Sequence, residues 1–190
     1  MEKLPAQTGE IFEILSKAQF ICSDSVNDRV RVLYDVINEN ETLFYDYFIA
    51  INFILERGDE YFFFAKKELK ADLDRKLETV FRWIDILDFL KAFNNAFVTG
   101  YRFSPSDLEV KTRVDVMLKD KLDGLKRHLG ETGSLSEKIN KLVNLLVKEG
   151  WIELENEINN QYKVVAAFKY AEQLVASINI PEDIQNEIPE

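Results

Sequence analysis

The chain has 190 residues, 46% apolar and 31% charged, which describes a globular protein able to bury a core rather than a disordered one. One cysteine and one histidine exclude an internal disulfide and a Cys/His zinc site, and no run of about 18 apolar residues marks a membrane span. The net charge of -10 argues against long-range attraction to DNA, although residues 101–150 are net positive, with ten basic against eight acidic side chains.

The N-terminal segments "GEIFEILSKAQF" and "NDRVRVLYDVINE" have helical spacing, and an apolar, aromatic stretch from Thr42 to Leu55 reads as a third helix. After Gly58, Tyr61-Phe62-Phe63-Phe64 is strand-like without alternating, so both of its faces need cover. The expected cover is the next element, a long helix from about Glu68 to Asn94 traced by Leu69, Leu73, Leu77, Val80, Ile84 and Leu87. Alternatively, Tyr61, Phe62 and Phe64 meet a partner protein or a second copy of the chain.

Further on, Pro105 sits near a helix start, and Leu108, Val110, Val114, Met117, Leu118, Leu122 and Leu125 are apolar positions of the following helices. Leu135, Ile139, Leu142 and Leu146 then share one face of a helix that Ser134 or Ser136 can cap and Gly150 can end. Ile152 and Leu154, then Tyr162 and Val164, alternate with polar residues around an Asn159-Asn160 bend, the pattern of a β-hairpin. Helical spacing returns from Phe168 to Ile178.

Helices followed by a hairpin give the order of a winged helix-turn-helix, and the same order occurs earlier in the chain. Ile54 to Gly58 parallels Leu146 to Gly150 at an offset of 92 residues. The fold class read here is mainly α with small β wings: tandem winged-helix domains joined by a long helix. The expected division is a first unit at 5–67, a linking helix at 68–100, a second unit at 101–180 and an acidic tail at 181–190.

In a winged helix, the helix before the wing is the one that faces DNA. Here its outer positions include Lys138, Lys141, Asn144 and Lys148, with Arg113, Lys126 and Arg127 as helpers. Interspersed Glu137 and Glu149 fit a solvated face or non-specific phosphate contact better than base readout, and Glu153, Glu155 and Glu157 oppose a wing lying on phosphates.

Catalysis finds no foothold. There is no glycine-rich phosphate loop, His128 lies near a helix end where a dipole contact suits it, and Asp85 and Asp88 read as helix-surface charges. The expectation is a non-enzyme without cofactor or metal.

The segments "INFILERGDEYFFFAKKE" and "LVNLLVKEGWIELENEINNQYKVVAAF" resemble the MukE/MksE group of bacterial condensin-like complexes. Together with relatives in Wadjet-type plasmid-restricting systems, these are the kleisin-interacting tandem winged-helix elements, and the resemblance spans about residues 5 to 180. It implies a non-catalytic, homodimeric subunit that binds the kleisin of an SMC ATPase and helps the complex hold DNA weakly and without sequence preference. It further implies a cytoplasmic, nucleoid-associated protein without membrane contact, acting in chromosome segregation or plasmid restriction. The competing reading is a winged-helix transcriptional regulator.

Overall fold

The structure, a computed structural model, describes residues 3–65, 73–130 and 133–177, with side chains in the long helix from Glu78 onward. The expected helix start at 68–72 and the acidic tail 181–190 lie outside the described residues.

The N-terminal half runs α1 (Thr8–Ser16), β1 (Ile21–Cys22), α2 (Asp28–Glu39), α3 (Glu41–Ala50), β2 (Ile54–Arg57) and β3 (Tyr61–Ala65). Asn27 starts α2 by accepting a 2.9 Å hydrogen bond from the Arg29 amide, a side-chain cap that satisfies an otherwise orphan donor. The helix expected over 42–55 stops at Ala50 instead. Asn52 turns the chain with φ +66°, a conformation asparagine tolerates, and the Phe53 amide bonds back to the Phe48 carbonyl. Ile54 to Arg57 then pair with Phe62 to Ala65 as an antiparallel hairpin.

Gly58 therefore belongs to a hairpin turn, where an added Cβ would fall 2.0 Å from Tyr61 Cζ. Gly150 instead follows the last turn of a helix, at φ +74°. The 92-residue correspondence equates a strand with a helix end and does not hold.

The remaining elements are α4 (Leu73–Phe93), β4 (Arg102–Phe103), α5 (Pro105–Val114), α6 (Val116–Gly124), α7 (Lys126–Leu129), α8 (Leu135–Lys148), β5 (Ile152–Asn156), β6 (Gln161–Val164) and α9 (Phe168–Ala176). Ser104 opens α5 and Ser134 opens α8 through reciprocal capping boxes with Asp107 and Glu137. Between α5 and α6, Asp115 is extended and its carboxylate accepts from the Leu118 amide at 3.0 Å. This cap restarts the helix at a new angle and makes a corner.

Two antiparallel three-stranded sheets, ordered β1-β3-β2 and β4-β6-β5, join the helices in tandem winged-helix units. The smaller core collects Ile11, Leu33, Ile37, Phe44, Phe48 and Phe62. The larger gathers Trp83, Ile86, Phe89 and Leu90 of α4 with Leu108, Leu122, Leu142, Leu146 and Trp151. The Trp83 and Trp151 ring centroids lie 3.9 Å apart. The long helix thus packs as part of the second unit's core rather than as a free spacer.

The aromatic run on β3 fits neither pure alternation nor exposure because its two sides serve two cores. Phe62 joins the smaller core and Phe64 packs against it, while Tyr61 joins the larger and Phe63 packs against that one. Phe20 and Tyr170 of α9 cover the second side, with Phe63 lying 5.7 Å and 5.0 Å from their rings. Tyr61 Oη also donates to Gln173 Oε1 at 3.2 Å. Among the described residues these ring contacts come from Phe20 and α9, and Tyr61 shares the larger core with Trp83 and Leu87 of the long helix, whose expected covering residues Leu69, Leu73 and Leu77 lie outside the described side chains.

Polar contacts fasten the same junction. Glu153 on β5 accepts from the Val26 amide at 2.6 Å and lies within hydrogen-bond distance of buried Ser25 Oγ. Asp24 accepts from the Ala166 amide at 2.8 Å and pairs with Lys163 at 3.3 Å. Lys169 reaches Asp59 at 2.6 Å in the first hairpin's turn. The two winged helices are pinned to each other by both their loops and their aromatic side chains.

Candidate partner and nucleic-acid surfaces

The helix preceding the wing occupies the reading position in each unit: α3 in the first and α8 in the second. Their outward faces differ in chemistry. Around α3, Tyr45, Tyr47, Ile49 and Ile51 are exposed, with Val32 of α2 exposed nearby in the chain order. The inward positions Phe44 and Phe48 are fully buried, so the unit's core is complete without the outer aromatic side chains. Sequence reading missed this face, since a helix apolar nearly all round does not reveal which side meets solvent.

Tyr61 and Phe62, expected at a partner surface, are 1% and 0% exposed, and Phe64 is half-buried against Phe48 and Phe53. Their rings are already occupied by the chain's own packing. Burial pushes the Tyr61 hydroxyl up to about 12, with the Tyr170 charge acting in the same direction.

On α8, Lys141, Asn144 and Lys148 line one shallow cleft of about 260 Å³ together with His128, Leu129 and Leu145. The spacing of three to four residues places these side chains on one helix face. Lys138 lies one turn earlier but forms an ion pair with Asp123 of α6. Arg127 is directed to Asp85 on α4, and Arg113 to Glu109 within α5. Lys126 is exposed on α7. The structure thus brings together three of the seven expected DNA-facing residues and engages three others in ion pairs.

His128 does not simply cap a helix. Its Nε2 lies 2.7 Å from Asp85 Oδ2, which also accepts from Arg127. Burial raises the Asp85 carboxyl, but the His128 and Arg127 hydrogen bonds outweigh it and hold the group below its ordinary 3.8. Asp88 pairs with Lys121, so both acidic residues of this helix face are neutralised locally.

The second wing carries acidic charge that is largely spent within the chain. Glu153 serves the junction described above, and Glu155 pairs with Arg102 at 2.6 Å. Among the described residues, no cluster of three or more His, Cys, Asp or Glu side chains could hold a metal, and no helix is long and apolar enough to cross a membrane.

The family model described as condensin complex protein MksE matches residues 6–175, most of the chain. A comparison with curated proteins returns no match.

Proposed function

The chain belongs to the MksE family of condensin complex proteins, as a non-catalytic accessory subunit of an SMC-like complex, and from this premise we propose three contacts for it. It pairs with a second copy through the outer face of α3, binds the kleisin-like subunit that connects it to the SMC ATPase, and touches DNA weakly through α8. The observation that carries this reading is the opposite chemistry of two equivalent helices. The exposed side of α3 carries Tyr45, Tyr47 and Ile49 around a single charge, Asp46, whereas the α8 face presents Lys141, Asn144 and Lys148.

Apolar side chains grouped at a surface favour protein contact, because association removes them from water. A self-complementary patch of this kind suits a two-fold pair, in which the same residues serve both copies. Lysines and an asparagine without an arginine fork suit phosphate oxygens more than base edges, which favours the condensin role over an operator-reading regulator.

Light scattering of the purified chain tests the pairing, and titration of fluorescent duplexes of unrelated sequence tests the DNA contact. A dimer that binds all duplexes alike, with affinity falling steeply with salt, is the expected result. A monomer would remove the α3 contact, and strong preference for one duplex would favour the regulator.

A further inference from the structure

We propose that His128 is a proton-linked ligand for a backbone phosphate of duplex DNA in the α8 cleft: protonated on Nδ1, its ring donates to a phosphate oxygen, so binding strengthens as pH falls. The inference rests on the α8 reading above and adds to it a residue and a pH dependence. His128 is the chain's one histidine, the side chain type whose charge ordinarily changes between about pH 5 and 8. It belongs at once to two neighbourhoods, an ion-paired corner with α4 and the cleft on α8.

The corner fixes which nitrogen of the neutral ring holds the hydrogen. Nε2 lies 2.7 Å from Asp85 Oδ2 and 3.1 Å from Arg127 Nε. One nitrogen cannot donate to a carboxylate and accept from a guanidinium at once. The Asp85 contact is the shorter, and Arg127 has Asp85 as its own acceptor through Nη2, so Nε2 carries the hydrogen and donates it to the carboxylate. The lone pair of the neutral ring is then on Nδ1, which meets no hydrogen-bond partner among the described residues. A second proton can go only there.

The cleft gives that proton a use. The ring lines it together with Lys141, Asn144 and Lys148, donors that suit phosphate oxygens. The side chain is 12% exposed, so Asp85 and its neighbours hold the ring while part of it stays open to a ligand. The charges around it are Asp85 from α4, Arg127 and Lys126 from α7, and Lys141 and Lys148 from α8, with the Asp88–Lys121 pair beyond Asp85. Asp85 stays a carboxylate near neutral pH, because burial raises its carboxyl less than the His128 and Arg127 hydrogen bonds lower it. A phosphate in the cleft brings a negative charge and an acceptor oxygen to Nδ1, and both favour the protonated ring. Proton uptake and phosphate binding therefore strengthen each other, as linked equilibria must.

The test titrates the full chain with a fluorescent duplex at constant ionic strength between about pH 8 and about pH 6, beside His128→Gln, whose amide can still donate to Asp85 but takes up no proton. One linked proton should tighten the parent's binding about three- to tenfold across that interval and leave the variant's unchanged. In parallel, the single imidazole resonance of the parent is followed by NMR with and without duplex, and its titration midpoint should move upward on binding. A bound duplex that leaves the midpoint in place, or a variant as pH-dependent as the parent, would overturn the role of His128 while leaving the α8 contact standing. An equal midpoint shift with inorganic phosphate at matched ionic strength would overturn the duplex as the ligand and assign the site to a free anion. A parent that binds no duplex at either pH would overturn the α8 reading itself, and this inference with it.

Discussion

Ser25 Oγ lies 2.9 Å and 2.8 Å from the two carboxylate oxygens of Glu153, although 128 residues separate them in sequence. The contact ties the loop before α2 to the second wing, and it turns an acidic wing residue into an internal acceptor. A wing held this way keeps its root against the first unit, which is why the proposed DNA contact is placed on α8 rather than on the wing.

Replacing Glu153 by alanine leaves the buried Ser25 hydroxyl and the Val26 amide without their acceptor. The cost expected for stranded donors is about 1–3 kcal/mol, and for a chain of this size each kcal/mol lowers Tm by roughly 2–4 °C. Thermal melts should show that drop, and hydrogen exchange should rise locally at residues 24–27. A variant that melts like the parent would mean that water replaces the carboxylate at no cost.

Phe62 and Tyr45 separate folding from the proposed pairing of two chains. Phe62→Ala removes a fully buried ring that faces Tyr34 at 5.2 Å, and about 3–5 kcal/mol of stability should go with it. Tyr45→Asp with Ile49→Asp changes exposed positions and should leave the melt within about 0.5 kcal/mol of the parent while converting dimer to monomer by light scattering. If the Phe62 variant retained full stability, the packing assigned to the smaller core would be wrong.

The distinction also shows what the sequence could reveal. The second unit was legible because its signals agree: Ser134 caps, Leu135 to Leu146 keep helical spacing, Gly150 stops the helix and the hairpin alternates. The first unit was harder to read because Phe53 to Leu55 are apolar under either period, and only the left-handed Asn52 decides that a strand begins there. Val110, Val114 and Met117 read as apolar positions of their helices, yet the core closes without them. Spacing reveals that a helix has an apolar face but not whether this chain or another one covers it. The junction at Ser25 and Glu153 had no local signature, since it depends on how two distant loops meet.

Cys22 offers a direct check on that junction. It is buried beside Tyr61 in the larger core, and desolvation pushes its thiol well above the ordinary value. A thiol reagent should leave the folded chain unmodified and react with one equivalent after denaturation. Glu153→Ala, by loosening the neighbouring loop, should raise the slow labelling rate of the native protein. Rapid labelling of the parent would contradict the packed interface between the two units.

Asp85 predicts how stability responds to acid. Its carboxyl is held below 3.8 in the folded chain because hydrogen bonds from His128 and Arg127 together outweigh burial, which acts in the opposite direction. Because the folded value is depressed, its contribution is present above 3.8 and is lost as pH falls through the lower, folded-state value. Asp85→Asn should cost on the order of 0.5–1 kcal/mol near pH 7, and the gap between variant and parent should close as the pH falls below 3.8 in urea unfolding. A gap that is constant across that window would show that the carboxylate charge contributes nothing.

The α8 cleft makes the final prediction quantitative. Lys141 and Lys148 line the same depression, so both can reach phosphates of one duplex; Lys138 forms an ion pair with Asp123. Lys141→Glu with Lys148→Glu should weaken binding to every duplex alike and reduce the slope of log affinity against log salt by about 2, one for each phosphate no longer neutralised. Charge reversal at Lys138 should instead destabilise the packing of α6 on α8 through Asp123, lowering Tm with a smaller effect on the salt slope. If the double variant kept the parent's slope, α8 would not be the phosphate-facing helix, and DNA would have to meet this subunit elsewhere or only through its partners.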